Sequence, residues 1–497
     1  MTVFSEVEAA HGQHGLRRDA IGLREVLFQS ITDMAPGAAI AASIPAGAAF
    51  AGGSLPLSVI FAMVACLLCA WCIGELAREL PSAGSLATYA ARGLHPSLGF
   101  LVAWGYAMVG ALIPPLVLLQ LGFTVAGTLH GQWSAYPAGL WWPWSILGVV
   151  IIFLAGFYGI RASTRMGTVL GAFEIAVFVV LAVMFIIRAG AHNTGAVFGT
   201  GFTPRGYRGL SGVFAGSVYT ILAFGGFEGA APLAEEAREP RRVIRRAVLG
   251  ATLGIGLIYI LTTYAATVTF GPARFAGFGT AGPDSWVGIA RAIYGAFWVV
   301  VFLAIVNSTV ANANAGVNVA SRTAYAMGRV RVFPDLFAVV HPRHRSPWIG
   351  VTITSLFTLA VTLGLGFGYG PTTAFAMVGT GIVIILVSVY ILADAACIGY
   401  FARRRAGLNP IGHVLVPVLG VLAFIPAWLT AVGIPAFSFI TPLTAPLSYM
   451  AFGIGGWMLA GLVWLVALYG RHPERVVEVG VVHLDLEPGP QAPPARS

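Results

Sequence analysis

The sequence predicts an all-α polytopic membrane protein of about twelve transmembrane helices, and three observations carry that reading. Of 497 residues, 58% are hydrophobic and 9% are charged, where a soluble domain carries about 25% charged. The apolar residues fall in long, nearly charge-free stretches of roughly the 20 residues that a helix needs to cross the hydrocarbon. The arginines, which supply all 28 basic residues, gather in alternate connecting segments. No aqueous fold hides so much apolar surface, whereas lipid accepts it. The 63 glycines suit helices that pack backbone to backbone or break at chosen points.

Taken in order, the first six spans are expected at residues 26–50, 55–74, 98–129, 144–160, 167–187 and 210–231. The second six are expected at 247–270, 286–313 (continuing to 325), 348–368, 372–400, 415–431 and 448–469. Residues 1–25 are polar, without the apolar core and cleavage site of a signal peptide, so the first span is itself the expected targeting signal. From 471 the chain is charged and then proline-rich, the composition of a disordered tail. With the N-terminus inside, 23 of the 28 arginines fall in segments 1–25 and 471–497 and in the inner loops. Arg188, Arg205, Arg208 and Arg274 fall outside, and Arg291 is undecided. Both termini are therefore expected to be cytoplasmic, in the inner membrane. The net charge of +9 is then topology information, and no nucleic-acid partner is expected. Cys66, Cys69, Cys72 and Cys397 all lie in apolar stretches and read as small packing residues, so no metal site is expected.

Two spans read as broken. The first, SITDMAPGAAIAASIPAG, has Pro36-Gly37 at mid-membrane and Pro45 two turns on; the sixth, YTILAFGGFEGAAPLAEE, has Gly225-Gly226 and then Glu228 at lipid depth. They stand five spans apart, at equivalent places in a chain of two five-helix repeats, and paired interruptions of that kind point to a transporter's central site. An unwound turn frees N–H groups, which suit a carboxylate, and carbonyls, which suit an ammonium group or a cation.

Three stretches, in order, resemble the amino acid–polyamine–organocation superfamily, notably its bacterial amino acid and putrescine importers. They are GELARELPSAGSLATYAARGLHPSLGFLVAWGY (74–106), FGGFEGAAPLAEEAREPRRVIRRA (224–247) and SRTAYAMGRVRVFPDLFAVVHPRHRSP (321–347). The resemblance implies a five-plus-five inverted repeat, 26–187 and 210–400, with two further helices at 411–470. It implies a substrate between helices one, three, six, eight and ten, namely an amino acid, a polyamine or a related amine. By position, the substrate carboxylate would meet the backbone of Gly37, Ala38 and Ala39, and the amine would meet carbonyls near Ala223, Phe224 and Gly226. Tyr106 falls where the family places a gating tyrosine, and Phe224 or Phe227 at an aromatic lid. The chain departs from the family in reading PGAAIA where many members have a GxG turn, which puts a standard α-amino acid in question. In the eighth helix Ser308, Thr309 and Asn312 are candidates for contacting substrate or a cation.

Acidic residues at membrane depth are costly and call for a functional reading. Asp33 and Asp394 are read as partly hydrated gate residues and Glu228 as a gating or proton-sensing group. Glu174 stands where proton-coupled relatives often have a lysine, and could exchange a proton as the site opens to each side. Proton coupling is the expectation, with sodium attraction and a purely structural, neutral glutamate as the alternatives. No GxxxxGK[ST] occurs, so gradients or exchange would drive transport. No HExxH or convergent catalytic set is present, which argues against an enzyme and assigns no catalytic residue. The HGQHG histidines, His11 and His14, read as part of a mobile tail. An exchanger, or a sensor that binds without flux, remains open on the same fold.

Overall fold

A computed structural model describes residues 22–471, apart from 83, 160–163, 236, 330–333, 345 and 405–406. The expected tails, with His11 and His14, fall outside the described residues except for 22–25 and Arg471. Among the described residues, ten helical runs are long and apolar enough to cross a membrane. The first of them, Leu23–Glu79, turns back at Gly52–Ser54 and so supplies two spans, and the shorter apolar helix Trp142–Tyr158 supplies one more, which makes twelve. The first and sixth spans, which stand where the two expected five-span repeats would open, are both broken helices.

The expected bounds shift where the physics at a helix end differs from hydropathy. The third span runs Pro96–Gln132 and the tenth Pro371–Arg404, both longer than their apolar windows, because a helix can continue past the hydrocarbon. The seventh starts at Pro240 rather than 247, so four arginines ride on its first two turns. The eighth does not begin at 286. Gly295 takes φ +54° and divides a short helix, Trp286–Tyr294, from the span proper, Trp298–Arg329. Asp394, expected at a gate, is instead fully buried, its carboxyl against the thiols of Cys69 and Cys72 and against Gly420 of the eleventh span.

Spans 1, 3, 6, 8 and 10 meet at the centre, where the polar groups lie. Spans 2 and 7 pack on each other, and spans 4 and 9 pack on spans 3 and 8. The twelfth span, Tyr449–Arg471, closes against the third through Trp104 and Trp457, stacked with ring centroids 4.5 Å apart. Each indole N–H of that pair donates to the other residue's carbonyl, at 3.0 and 3.2 Å. Both indoles are thereby satisfied without water, which hydrocarbon requires.

Candidate binding site between the broken spans

The first span stops being helical at Asp33, the last residue of the half-helix Leu23–Asp33. Ala35 then takes left-handed backbone, φ 44°, and Pro36, whose ring presets a helical φ and needs no partner for an N–H, restarts the helix. A π turn follows at Ala39–Ser43. The π register moves the partner of the Ile40 carbonyl to position 45, a proline with no N–H to give. Trp286 Nε1 donates to that carbonyl instead, at 2.8 Å.

The sixth span is helical over Leu210–Phe224, opens at Gly225, and resumes as a 3-10 helix over Phe227–Glu235. Gly226 lies at φ +107°, and a Cβ there would stand 2.6 Å from the carbonyl carbon of Asp33. The two breaks therefore touch, and only glycine fits between them. Gly226→Ala is expected to cost about 1–3 kcal/mol of folded stability from backbone strain alone, read as a lower melting temperature in detergent. Ser30 pins the breaks together: its hydroxyl donates to the Phe227 carbonyl at 2.8 Å and accepts from the Ala230 N–H at 3.0 Å.

A cavity of about 90 Å³ lies beside the breaks. Among the residues singled out from sequence, Asp33, Ala38, Ala39, Tyr106, Gly226, Glu228 and Asn312 line it. Glu228 is buried, and its carboxylate accepts from the Tyr106 hydroxyl at Oε1 (2.8 Å) and from the Tyr390 hydroxyl (2.8 Å) and Gly226 N–H (3.2 Å) at Oε2. Asp33 accepts from Gln29 Nε2 at 3.0 Å and packs on Gly229. Among the described residues, the cavity lining holds no arginine, lysine or histidine. Tyr390→Phe removes one donor from Glu228, worth about 1.5–3 kcal/mol for a bond to a charged group. A fall in melting temperature larger than that of Tyr89→Phe, whose buried hydroxyl has no hydrogen-bond partner among the described residues, checks this.

The other expected residues sit behind the cavity wall. Gly37 backs onto Glu174 of the fifth span, Thr164–Ala189, and onto Ser308; a Cβ at Gly37 would meet them at 3.2 and 3.1 Å. The Gly37 N–H faces the Glu174 carboxyl, which also accepts from Asn307 Nδ2. The Ala38 N–H donates to Ser308 Oγ at 3.0 Å. Thr309 donates within its own helix to Val306. The Ala223 carbonyl is taken by the Tyr259 hydroxyl at 2.9 Å. Phe224 packs edge-on against Tyr259, and Phe227 packs against Tyr390 at a centroid distance of 5.0 Å. Both phenylalanines are fully buried and neither lines the cavity.

Gln120, in the third span, was not singled out from sequence. Its Nε2 donates to the Ala38 carbonyl at 2.9 Å, it lines the cavity, and its Oε1 has no hydrogen-bond partner among the described residues. A lone amide within the apolar run PPLVLLQLGFTV is the signal that marks it. Tyr390 carried no comparable signal, because it reads as one more aromatic of an apolar helix.

Each break pairs the negative end of one half-helix with the positive start of the next, and at the sixth span that start is already occupied by the Glu228 carboxyl and Ser30. Two half-helices, Leu23–Asp33 and Leu210–Phe224, end there with their partial negative charge, and Asp33 and Glu228 add carboxyl groups at the same place. The positive start of the helix after Pro36 is already occupied by Glu174 and Ser308.

The amino acid permease family matches residues 25–453. The low-affinity putrescine importer PlaP of Escherichia coli (strain K12) is 26% identical over 312 residues, 62% of this chain and 66% of the importer. The chain thus spans just under two thirds of that relative's length. The branched-chain amino acid permease BcaP of Bacillus subtilis (strain 168) is 24% identical over 363 residues, 69% of this chain and 74% of the permease. The cationic amino acid transporter 4 of Mus musculus is 28% identical over 333 residues, 63% of this chain and 50% of the transporter. With the family match running over nearly all the described residues and onto a multi-pass helical fold broken at its first and sixth spans, the chain belongs to the amino acid permease family.

Proposed function

We propose that the protein is a secondary transporter that moves an amino acid or related amine across the inner membrane by alternating access, binding it between the broken spans. The observation that carries this reading is the negative character of the cavity: two carboxyl groups, two helix C-termini and no basic side chain in its lining. An ammonium group brings three donors and no acceptor. It would meet Glu228, Asp33 and the free Oε1 of Gln120. A substrate carboxylate finds less, because the Gly37 and Ala38 N–H groups are engaged by Glu174 and Ser308. The geometry therefore favours the amine end of the substrate, and amines without a carboxylate over α-amino acids. Two of the relatives, a putrescine importer and a cationic amino acid transporter, carry cationic substrates in their names, which supports the same chemistry.

Both termini sit in the cytoplasm on this reading, and inward proton movement drives uptake through Glu174. Glu174 touches the first span at Gly37 and the eighth at Asn307 and Ser308, so a proton there bears on how the first span is held against its neighbours. The test is uptake into proteoliposomes from a labelled panel of amino acids and polyamines, with an imposed inward proton gradient and no sodium. Accumulation above the external concentration is expected. Absence of flux for every compound would overturn the reading in favour of a sensor.

A further inference from the structure

We propose that the start of the seventh span is a binding site for an anionic phospholipid, its phosphate held by arginines and an acyl chain lying along a leucine stripe. The helix Pro240–Phe270 carries Arg241, Arg242, Arg245 and Arg246 in its first two turns. Basic side chains at the positive end of a helix, spaced four apart, repel both the dipole and each other. An anion at hand would relieve that repulsion. The four line a basin of about 600 Å³ together with Arg78 of the second span and Leu249.

One wall of the basin is fixed by the protein itself. The Arg245 guanidinium lies 4.5 Å from the Trp71 ring centroid and bridges Glu75 at 3.1 Å. Glu75 is also shared with Arg78 at 3.1 Å and with His413 at 3.5 Å. That acid is therefore spent on the wall. Arg242 and Arg246 are exposed and make no ion pair among the described residues.

The same helix face tells which anion fits. Positions 242, 246, 249, 253 and 257 fall on one stripe at helical spacing. Below the two arginines it carries Leu249, then Leu253 and Leu257, which are 46% and 55% exposed. Paired cations above outward-facing leucines match a phosphate headgroup with its acyl chain, whereas a soluble phosphate uses only the top of the stripe. The arginine asymmetry puts this end at the inner leaflet, where basic clusters beside a span meet anionic headgroups. The shared basin and the leucine track lie on one face of the helix, so a single ligand can reach both.

The test is equilibrium binding of short-chain phosphatidylglycerol to the full chain in detergent, against phosphatidylcholine of equal chain length. Arg242→Gln/Arg246→Gln leaves the Arg245–Glu75–Trp71 wall intact, and Arg205→Gln/Arg208→Gln is the control on the opposite side. Phosphatidylglycerol is expected to bind preferentially, and the 242/246 pair to weaken it about thirtyfold while the control leaves it unchanged. Equal binding of the two lipids, equal loss in both double variants, or retention in the 242/246 variant would overturn the site. Displacement of the lipid by glycerol phosphate at matched concentration would assign the basin to a free anion and overturn the lipid. Native mass spectrometry of the 242/246 variant, checked for unchanged melting temperature, separates loss of the site from loss of fold.

Discussion

Glu228→Gln is expected to lower uptake of the transported amine about thirty- to a thousandfold in kcat/KM, the equivalent of about 2–4 kcal/mol of lost recognition. The side chain keeps its shape, and the hydroxyls of Tyr106 and Tyr390 can turn to meet an amide, so the fold should survive. What disappears is a carboxyl able to carry negative charge beside the ammonium group, in a cavity whose described lining supplies no basic group. An ammonium group that leaves water for such a cavity needs a carboxylate to replace its hydration. Asp33→Asn is expected to act in the same direction and less strongly, because Asp33 is half-buried and partly screened. Initial uptake rates across substrate concentration, with melting temperatures as the control for folding, check both. A rate unchanged in both variants would remove the carboxyl pair from substrate recognition.

Glu174→Gln is expected to abolish accumulation driven by a proton gradient while leaving exchange of substrate across the membrane measurable. The amide still reaches Asn307 and Ser308, so the contact between the first, fifth and eighth spans persists without a group that can take up a proton. Proteoliposomes loaded with unlabelled amine report the exchange, and the imposed gradient reports the accumulation. Loss of both together would make Glu174 a structural residue. Retention of both would place coupling elsewhere, and Asp394, fully buried against the thiols of the second span, would be the next carboxyl to test.

Much of this arrangement is legible in the sequence, for identifiable reasons. The spans show themselves because hydrocarbon tolerates few charges, and the two breaks because Pro36 and Gly225-Gly226 interrupt otherwise apolar helices. Asp33 and Glu228 stand out as acids at lipid depth. The identity of each partner is not legible. Tyr390 comes to Glu228 across 162 positions of chain and Gln120 to Ala38 across 82, and helix packing alone decides both meetings. The backbone groups expected to await substrate illustrate the same limit. An unwound turn predicts free N–H groups and carbonyls, but Ser308, Trp286 and Tyr259 reach them from three other helices. Gly295 hides a further break, since a single glycine in an apolar run carries little signal until its φ is seen.

The most direct measurement compares amines with their α-carboxylated counterparts in proteoliposomes: putrescine against ornithine, cadaverine against lysine, and agmatine against arginine. A cavity that offers carboxyl groups, helix C-termini and the Gln120 oxygen, with its backbone N–H groups already engaged, predicts faster and deeper accumulation of the amine in each pair it transports. Consistent preference for the amino acid, or equal transport of both members, would contradict it.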